Sequence, residues 1–105
     1  MQSPVAKVLQ EMSELAEAKF QTYGNTYEQV GELMKILYPR GVCLETAADT
    51  AFYSILTWVL GKLCRYATSS DPEARMDSLR DLTVYSAMAY TLYKKVQEEE
   101  MNHAK

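Results

Sequence analysis

Apolar side chains recur at intervals of three and four residues through most of this 105-residue chain, and nowhere do they alternate one by one. Intervals of three and four residues are typical of an amphipathic helix, whereas strict alternation would indicate a β-strand. The chain has four glycines and three prolines, most of them where the helical spacing is interrupted. The sequence therefore predicts an all-α fold.

Helix-breaking residues divide the chain into four predicted helices. Ser3-Pro4 is typical of a helix start, and Tyr23-Gly24-Asn25 of a helix end. Pro39-Arg40-Gly41 ends the second helix, and Asp71-Pro72 opens the last one. We expect helices at residues 4–22, 27–38, 47–68 and 73–98. They would form an antiparallel four-helix bundle in a single domain that covers residues 1–105.

Two of these helices are apolar on more than one face. Trp58 lies on the far side of the third helix from Leu56, Val59 and Leu63, and the fourth helix carries tyrosines around much of its circumference. Helices of this kind are usually covered on both sides. We therefore expect a homo-oligomer, either a dimer or a tetramer.

Charge and cysteine usage exclude several classes of protein. The formal net charge of −3 gives no field that would attract nucleic acid. The start of the chain lacks the basic and apolar segments of a signal peptide, and the longest apolar run is too interrupted to span a bilayer. Cys43 and Cys64 form neither a zinc motif nor a disulfide framework, which predicts reduced thiols in a cytoplasmic protein with no membrane contact.

Carboxylates are the chemical groups that remain for a functional site. His103, the one histidine, lies near the end of the chain, and the glycines match no phosphate-binding loop. Asp49 stands out because it falls within the apolar stripe of the third helix. A carboxylate at such a position is paired, caps a helix end, or holds a cation. Thr46 three residues before it favours a capping box, so capping and metal binding both stay open.

Further acidic pairs stand one helical turn apart, where both members share a face. Glu28 and Glu32 form one such pair, and Asp77 and Asp81 form another. Carboxylates gathered around one helical core would suit Mg²⁺, which prefers oxygen ligands. Lys62 and Arg65 on the third helix are candidates for contacts with phosphate oxygens.

Each of these residues also has a purely structural interpretation. Glu28 and Glu32 are typical of a solvated face paired with Lys35, and Asp77 and Asp81 of surface pairs with a neighbouring arginine. Lys62 and Arg65 lie opposite the apolar stripe of their helix, which favours exposure to solvent. Tyr23, at the end of the first helix, is typical of packing at a turn.

The chain resembles the MazG-like all-α NTP pyrophosphatases, particularly their short phage and prophage members. Glu28-Gln29-Val30-Gly31-Glu32 resembles the EExxE motif of that superfamily, and Ala48-Asp49-Thr50-Ala51 resembles the segment around the aspartate of its ExxD motif. The phage-type proteins are also similar at Tyr23-Gly24, at residues 62–67 and at residues 77–85. The likeness covers roughly residues 14 to 93.

The resemblance implies a Mg²⁺-dependent enzyme that cleaves a (d)NTP to the monophosphate and pyrophosphate. It implies that Glu28, Glu32, Asp49 and Asp77 are metal ligands. Asp81, with Asp49, would act in catalysis by completing the metal shell or positioning water. The nucleotide ligand would contact three further residues, namely Lys62, Arg65 and Tyr23.

The sequence also departs from these motifs. Gln29 stands in place of the second glutamate of EExxE, and Thr46 in place of the glutamate of ExxD. These departures support a second hypothesis, a protein that binds or sequesters a nucleotide signal without hydrolysing it. A third hypothesis, an oligomeric interaction module, rests only on the surplus of apolar surface.

Overall fold

The computed structural model describes residues 2–103, apart from the side chains of Thr22, Tyr23 and His103. Within this part of the chain there are four α-helices and no β-strand, which confirms the all-α prediction. The helices are α1 (Pro4–Tyr23), α2 (Thr26–Leu37), α3 (Ala47–Thr68) and α4 (Pro72–His103).

Local hydrogen bonds explain where the helices begin. The Ser3 hydroxyl accepts a bond from the Ala6 amide at 3.1 Å, and the Asp71 carboxylate accepts one from the Glu73 amide at 3.2 Å. These side chains satisfy backbone donors that lack a partner in the first turn of a helix. Gly24 ends α1 with a φ of 62°, a left-handed conformation that glycine adopts without strain.

The last helix is longer than predicted. It extends to His103, whereas the sequence predicts an end near Glu98. Residues 98–102 contain glutamate, methionine and asparagine but neither glycine nor proline, so the chain holds no residue that interrupts helical hydrogen bonding there. The second helix begins at Thr26 and ends at Leu37, one residue earlier at each end than expected.

The third helix is the centre of the packing. Both α2 and α4 pack on α3, and they have no comparable contact with each other. The rings of Phe52 and Tyr93 lie 6.1 Å apart, and the Arg75 side chain donates a hydrogen bond to the Tyr66 carbonyl oxygen at the opposite end of α3. Residue numbers therefore rise along α3 as they fall along α4, so the two helices are antiparallel.

The first helix has few contacts with the other three. The buried apolar residues of the described chain all lie on α2 and α3, and they are Met34, Ile55, Leu60 and Cys64. The radius of gyration is 18.6 Å, compared with about 13 Å for a compact domain of this length. The helices α2, α3 and α4 therefore form one layer, and α1 extends from it.

None of the described helices combines the length and the apolar character that are needed to cross a bilayer. Both cysteines are free, with Cys43 exposed and Cys64 buried. Burial raises the pKa of the Cys64 thiol, which therefore stays protonated at neutral pH.

Candidate functional site

The antiparallel packing of α3 and α4 brings four of the predicted site residues together. Lys62 and Arg65 come from the last turns of α3, and Asp77 and Asp81 come from the first turns of α4. They lie around a cleft of about 360 Å³, which we call the acidic cleft. Its lining is completed by Ala74, Ser78 and Arg80.

An ion pair crosses the acidic cleft between the two helices. The Lys62 ammonium lies 2.8 Å from an Asp81 carboxylate oxygen. The Lys62 side chain is 19% exposed and that of Asp81 is 43% exposed, so water reaches the aspartate more easily than the lysine. A second pair, Arg80 with Asp77 at 2.9 Å, lies within α4 and is largely exposed. Both carboxylates of the cleft are thus neutralised by cations of this chain.

A second cleft lies on the other side of the same two cations. It measures about 300 Å³ and is lined by Thr26, Thr57, Trp58, Gly61, Lys62, Arg65 and Tyr85. The rings of Trp58 and Tyr85 are 5.5 Å apart at an angle of 50°. We call this the aromatic cleft. Lys62 and Arg65 therefore separate a region of carboxylates from a region of aromatic rings.

The aromatic pair was missed by the reasoning from sequence. The position of Trp58, away from the apolar stripe of α3, predicts only an oligomer contact. Tyr85 follows Asp81 by one helical turn, so the two side chains share a face of α4. That spacing was the available signal for Tyr85, although it does not indicate which aromatic residue of α3 would face it.

Asp49 lies at the opposite end of α3 from the clefts. It is 13 residues before Lys62, which corresponds to about 20 Å along a helix. One of its carboxylate oxygens accepts hydrogen bonds from the amides of Glu45 and Thr46, each at 3.2 Å. The Thr46 hydroxyl accepts a bond from the Asp49 amide at 3.0 Å in return. The capping box that the sequence favours is therefore present.

The capping box also affects the acidity of Asp49. Hydrogen bonds from the Glu45 and Thr46 amides to the ionised carboxylate hold the pKa of Asp49 below its ordinary value of 3.8. The carboxylate is accordingly charged at neutral pH. Capping accounts for one of its oxygens, and the interpretation of Asp49 as a metal ligand stays a prediction.

The glutamates of α2 do not lie in either cleft. Glu28 and Glu32 are exposed, and the side-chain amide of Asn25 donates a hydrogen bond to Glu28 at 3.1 Å. The Lys35 ammonium, the expected partner for these glutamates, donates to the Pro39 carbonyl oxygen at 2.7 Å. Gln29 faces inward instead, and its amide oxygen is buried without a hydrogen-bond partner among the described residues.

Of the predicted metal ligands, Asp77 alone lies beside Asp81 in the acidic cleft. Across the described residues, no three side chains of Asp, Glu, His or Cys come close enough to hold one metal ion. Mg²⁺ is often held by one or two protein carboxylates together with the phosphates of its substrate. Asp77 and Asp81 have that donor chemistry, so Mg²⁺ binding stays a prediction. The Tyr23 side chain lies outside the described residues, so its contact with a nucleotide also stays a prediction.

In comparisons with known proteins, the chain matches no family model, no curated protein and no solved structure.

Proposed function

We propose that the two clefts together bind a nucleoside triphosphate and that the protein hydrolyses it to the monophosphate and pyrophosphate. The observation that carries this proposal is the position of Lys62 and Arg65 between both clefts. Their cationic groups would contact the phosphate oxygens. The Trp58 and Tyr85 rings on one side offer apolar surface against which a nucleobase would stack.

The Lys62–Asp81 pair would link binding to hydrolysis. A phosphate oxygen that binds to the Lys62 ammonium competes with the Asp81 carboxylate for the same hydrogens. Asp81 would then be free to accept a proton from water as the water oxygen bonds to the α-phosphorus and the bond to pyrophosphate breaks. When bound, Mg²⁺ would neutralise phosphate charge. Asp77 is the carboxylate of the acidic cleft that would hold it.

Measuring pyrophosphate release from each of the common (d)NTPs with Mg²⁺ tests the enzymatic proposal. We expect Asp81→Asn to lower the rate by at least about 100-fold, the usual loss when a general base is removed. Glu99→Gln on the exposed end of α4 is the matched control and should leave the rate unchanged. No release above that of the Asp81→Asn variant would contradict hydrolysis.

A second candidate is nucleotide binding without hydrolysis. It is favoured by the pairing of both cleft carboxylates with Lys62 and Arg80, which reduces their capacity to bind a metal ion. In this case the protein would bind or sequester a nucleotide, and no pyrophosphate would appear.

Calorimetric titration with nucleoside triphosphates and cyclic dinucleotides separates the two candidates. We expect Lys62→Met to raise the Kd by roughly 10-fold or more, since a charge-assisted hydrogen bond contributes about 1.5–3 kcal/mol. Lys94→Met, at an exposed lysine of α4 away from both clefts, is the control. Binding without turnover would favour the second candidate, and no binding at high micromolar ligand would contradict both.

The proposal includes a MazG-like, homo-oligomeric protein of the cytoplasm, a dimer or a tetramer. The exposed apolar residues along α1 and α4 support the oligomer, because a lone chain would leave them in water. The similarity of residues 77–85 to the phage-type proteins supports the MazG-like assignment, since this segment contains the acidic cleft's aspartates.

A further inference from the structure

An apolar groove runs between α3 and α4 along one side of the layer. Its floor on α3 consists of Phe52, Leu56 and Val59, with Tyr93 and Val96 of α4 along one edge. The groove measures about 630 Å³, and Asp49 and Glu100 stand at one end of it. In an antiparallel four-helix bundle this is the position of the fourth helix, diagonally across from α3.

The helix that should fill this position is elsewhere in the same chain. The large apolar side chains that the structure describes on α1 are all about half exposed or more, and they are Val5, Val8, Leu9, Met12, Leu15 and Phe20. A two-residue connection, Gly24-Asn25, separates α1 from α2, and it directs α1 away from the groove. A short connection between a helix and the rest of its domain favours domain swapping, in which two copies exchange that helix.

The exposed surface area matches what such an exchange would cover. The chain exposes 8340 Å², whereas a compact monomer of its mass exposes about 6000 Å². The excess is roughly 2300 Å² per chain, which is within the range that one subunit contributes to a large obligate dimer interface. A second copy of the same chain is therefore sufficient to account for the surplus.

We propose that α1 of one copy lies in the apolar groove of a second copy, and that the second copy's α1 fills the groove of the first. Each groove then becomes a four-helix bundle with one helix from the partner. The apolar face of α1 from Val5 to Leu15 and the groove floor from Asp49 to Val59 both span about 15 Å. This dimer does not depend on nucleotide binding, and its failure would leave the proposed nucleotide binding and hydrolysis standing.

Charge gives the orientation of the exchanged helix. Lys7 is the one charged residue between Pro4 and Gln10, at the start of α1. Asp49 and Glu100 are the acidic residues at one end of the groove. With Lys7 near this end, α1 runs parallel to α3, which is the direction that diagonal helices have in an up-down-up-down bundle.

Sedimentation analysis of the full chain and of two variants tests the interface. We expect the wild type at twice the 12.0 kDa mass of the chain or a larger even multiple. Met12→Glu would place a charge in the groove and raise the dissociation constant at least about 100-fold, which gives monomers. Ile36→Glu changes an exposed apolar residue of α2 that does not line the groove, and should keep the wild-type mass.

A monomeric wild type, or a Met12→Glu variant that keeps the wild-type mass, would overturn the proposal. Since Met12 is exposed in the single chain, its substitution does not disturb the α2–α4 layer, and circular dichroism of each variant checks that the helices persist.

Photo-cross-linking identifies which surface receives α1. Benzoylphenylalanine at position 12 is apolar and retains the proposed contact. In a mixture of ¹⁵N-labelled and unlabelled chains, we expect mixed-isotope peptides that join α1 to residues 49–63 or 86–97. Peptides of a single isotope composition would show that α1 fills its own groove. Mixed peptides that join α1 only to α1 would show a different dimer, and either result would overturn the exchange.

Discussion

The two helices α1 and α3 are similar in sequence pattern and different in what they contact. Both carry apolar residues at helical spacing, over 20 and 22 residues respectively. Three residues of α3 are buried, namely Ile55, Leu60 and Cys64, and no described residue of α1 is. Helical periodicity thus identifies the apolar face of a helix. It does not show whether the rest of the same chain covers that face.

The largest expected effect comes from shortening one leucine on each helix. Leu60→Ala should lower the free energy of unfolding by about 3 kcal/mol, because it leaves a cavity in the packed layer. Leu9→Ala should cost less than about 0.5 kcal/mol in dilute, monomeric protein, where this side chain is in water. Urea unfolding of both variants and the wild type, at low and at high protein concentration, gives the comparison.

Protein concentration is the control for this pair of variants. If α1 packs on a second copy, the cost of Leu9→Ala increases once the concentration is high enough for dimers to form. Equal losses for the two leucines in dilute protein would mean that α1 packs on its own chain. The contrast between the two helices would then be wrong.

The starts of α1, α3 and α4 could be predicted from sequence because the responsible contacts are local. Ser3, Thr46 and Asp71 each bond to a backbone amide two or three residues further on, and those spacings are visible in the sequence. The end of α4 was less predictable. Neither glycine nor proline follows residue 98, and the run of glutamates at residues 98–100 is compatible with a helix.

The candidate site was predictable only where its residues lie together on one face of a single helix. The spacing of Asp77 and Asp81 places both on one side of α4, and the structure brings them to Lys62 and Arg65. The proximity of Trp58 to Tyr85 depends on how α3 and α4 are aligned, and no local pattern gives that alignment. The separation of Glu28 from the acidic cleft has the same cause, since it depends on which face of α2 meets α3.

Removing a helix cap should have a smaller effect than removing a core leucine, and it should again differ between α1 and α3. Thr46→Ala should cost about 1 kcal/mol, since the Asp49 amide loses its hydrogen-bond partner in a packed helix. Ser3→Ala removes the same kind of bond from α1, but in dilute, monomeric protein an unpacked helix end frays without unfolding the layer. The cost of Ser3→Ala there should be a few tenths of the cost of Thr46→Ala. Urea unfolding measures both, and an equal loss would contradict independent fraying of α1.

The smallest expected effect is the pH dependence that Asp49 gives to the start of α3. Because the pKa of Asp49 is lower in the folded protein, its contribution to stability is fully present above the ordinary value of 3.8. The contribution is lost as the pH falls through the lower folded value. Asp49→Asn keeps an oxygen for the Glu45 and Thr46 amides and removes only the charge. We expect it to lower the Tm by roughly a few degrees near neutral pH.

The difference in Tm between wild type and Asp49→Asn should shrink as both are acidified below the folded pKa, since the wild-type carboxyl is then uncharged as well. Thermal unfolding from neutral to acidic pH measures this, and Glu99→Gln controls for the general loss of a negative charge. A constant difference across that range would mean that the oxygen position alone stabilises the helix start. A difference that disappears in acid means that Asp49 serves the cap as an anion. A metal ion at the same carboxylate would then have to compete with two backbone amides that are already bound to it.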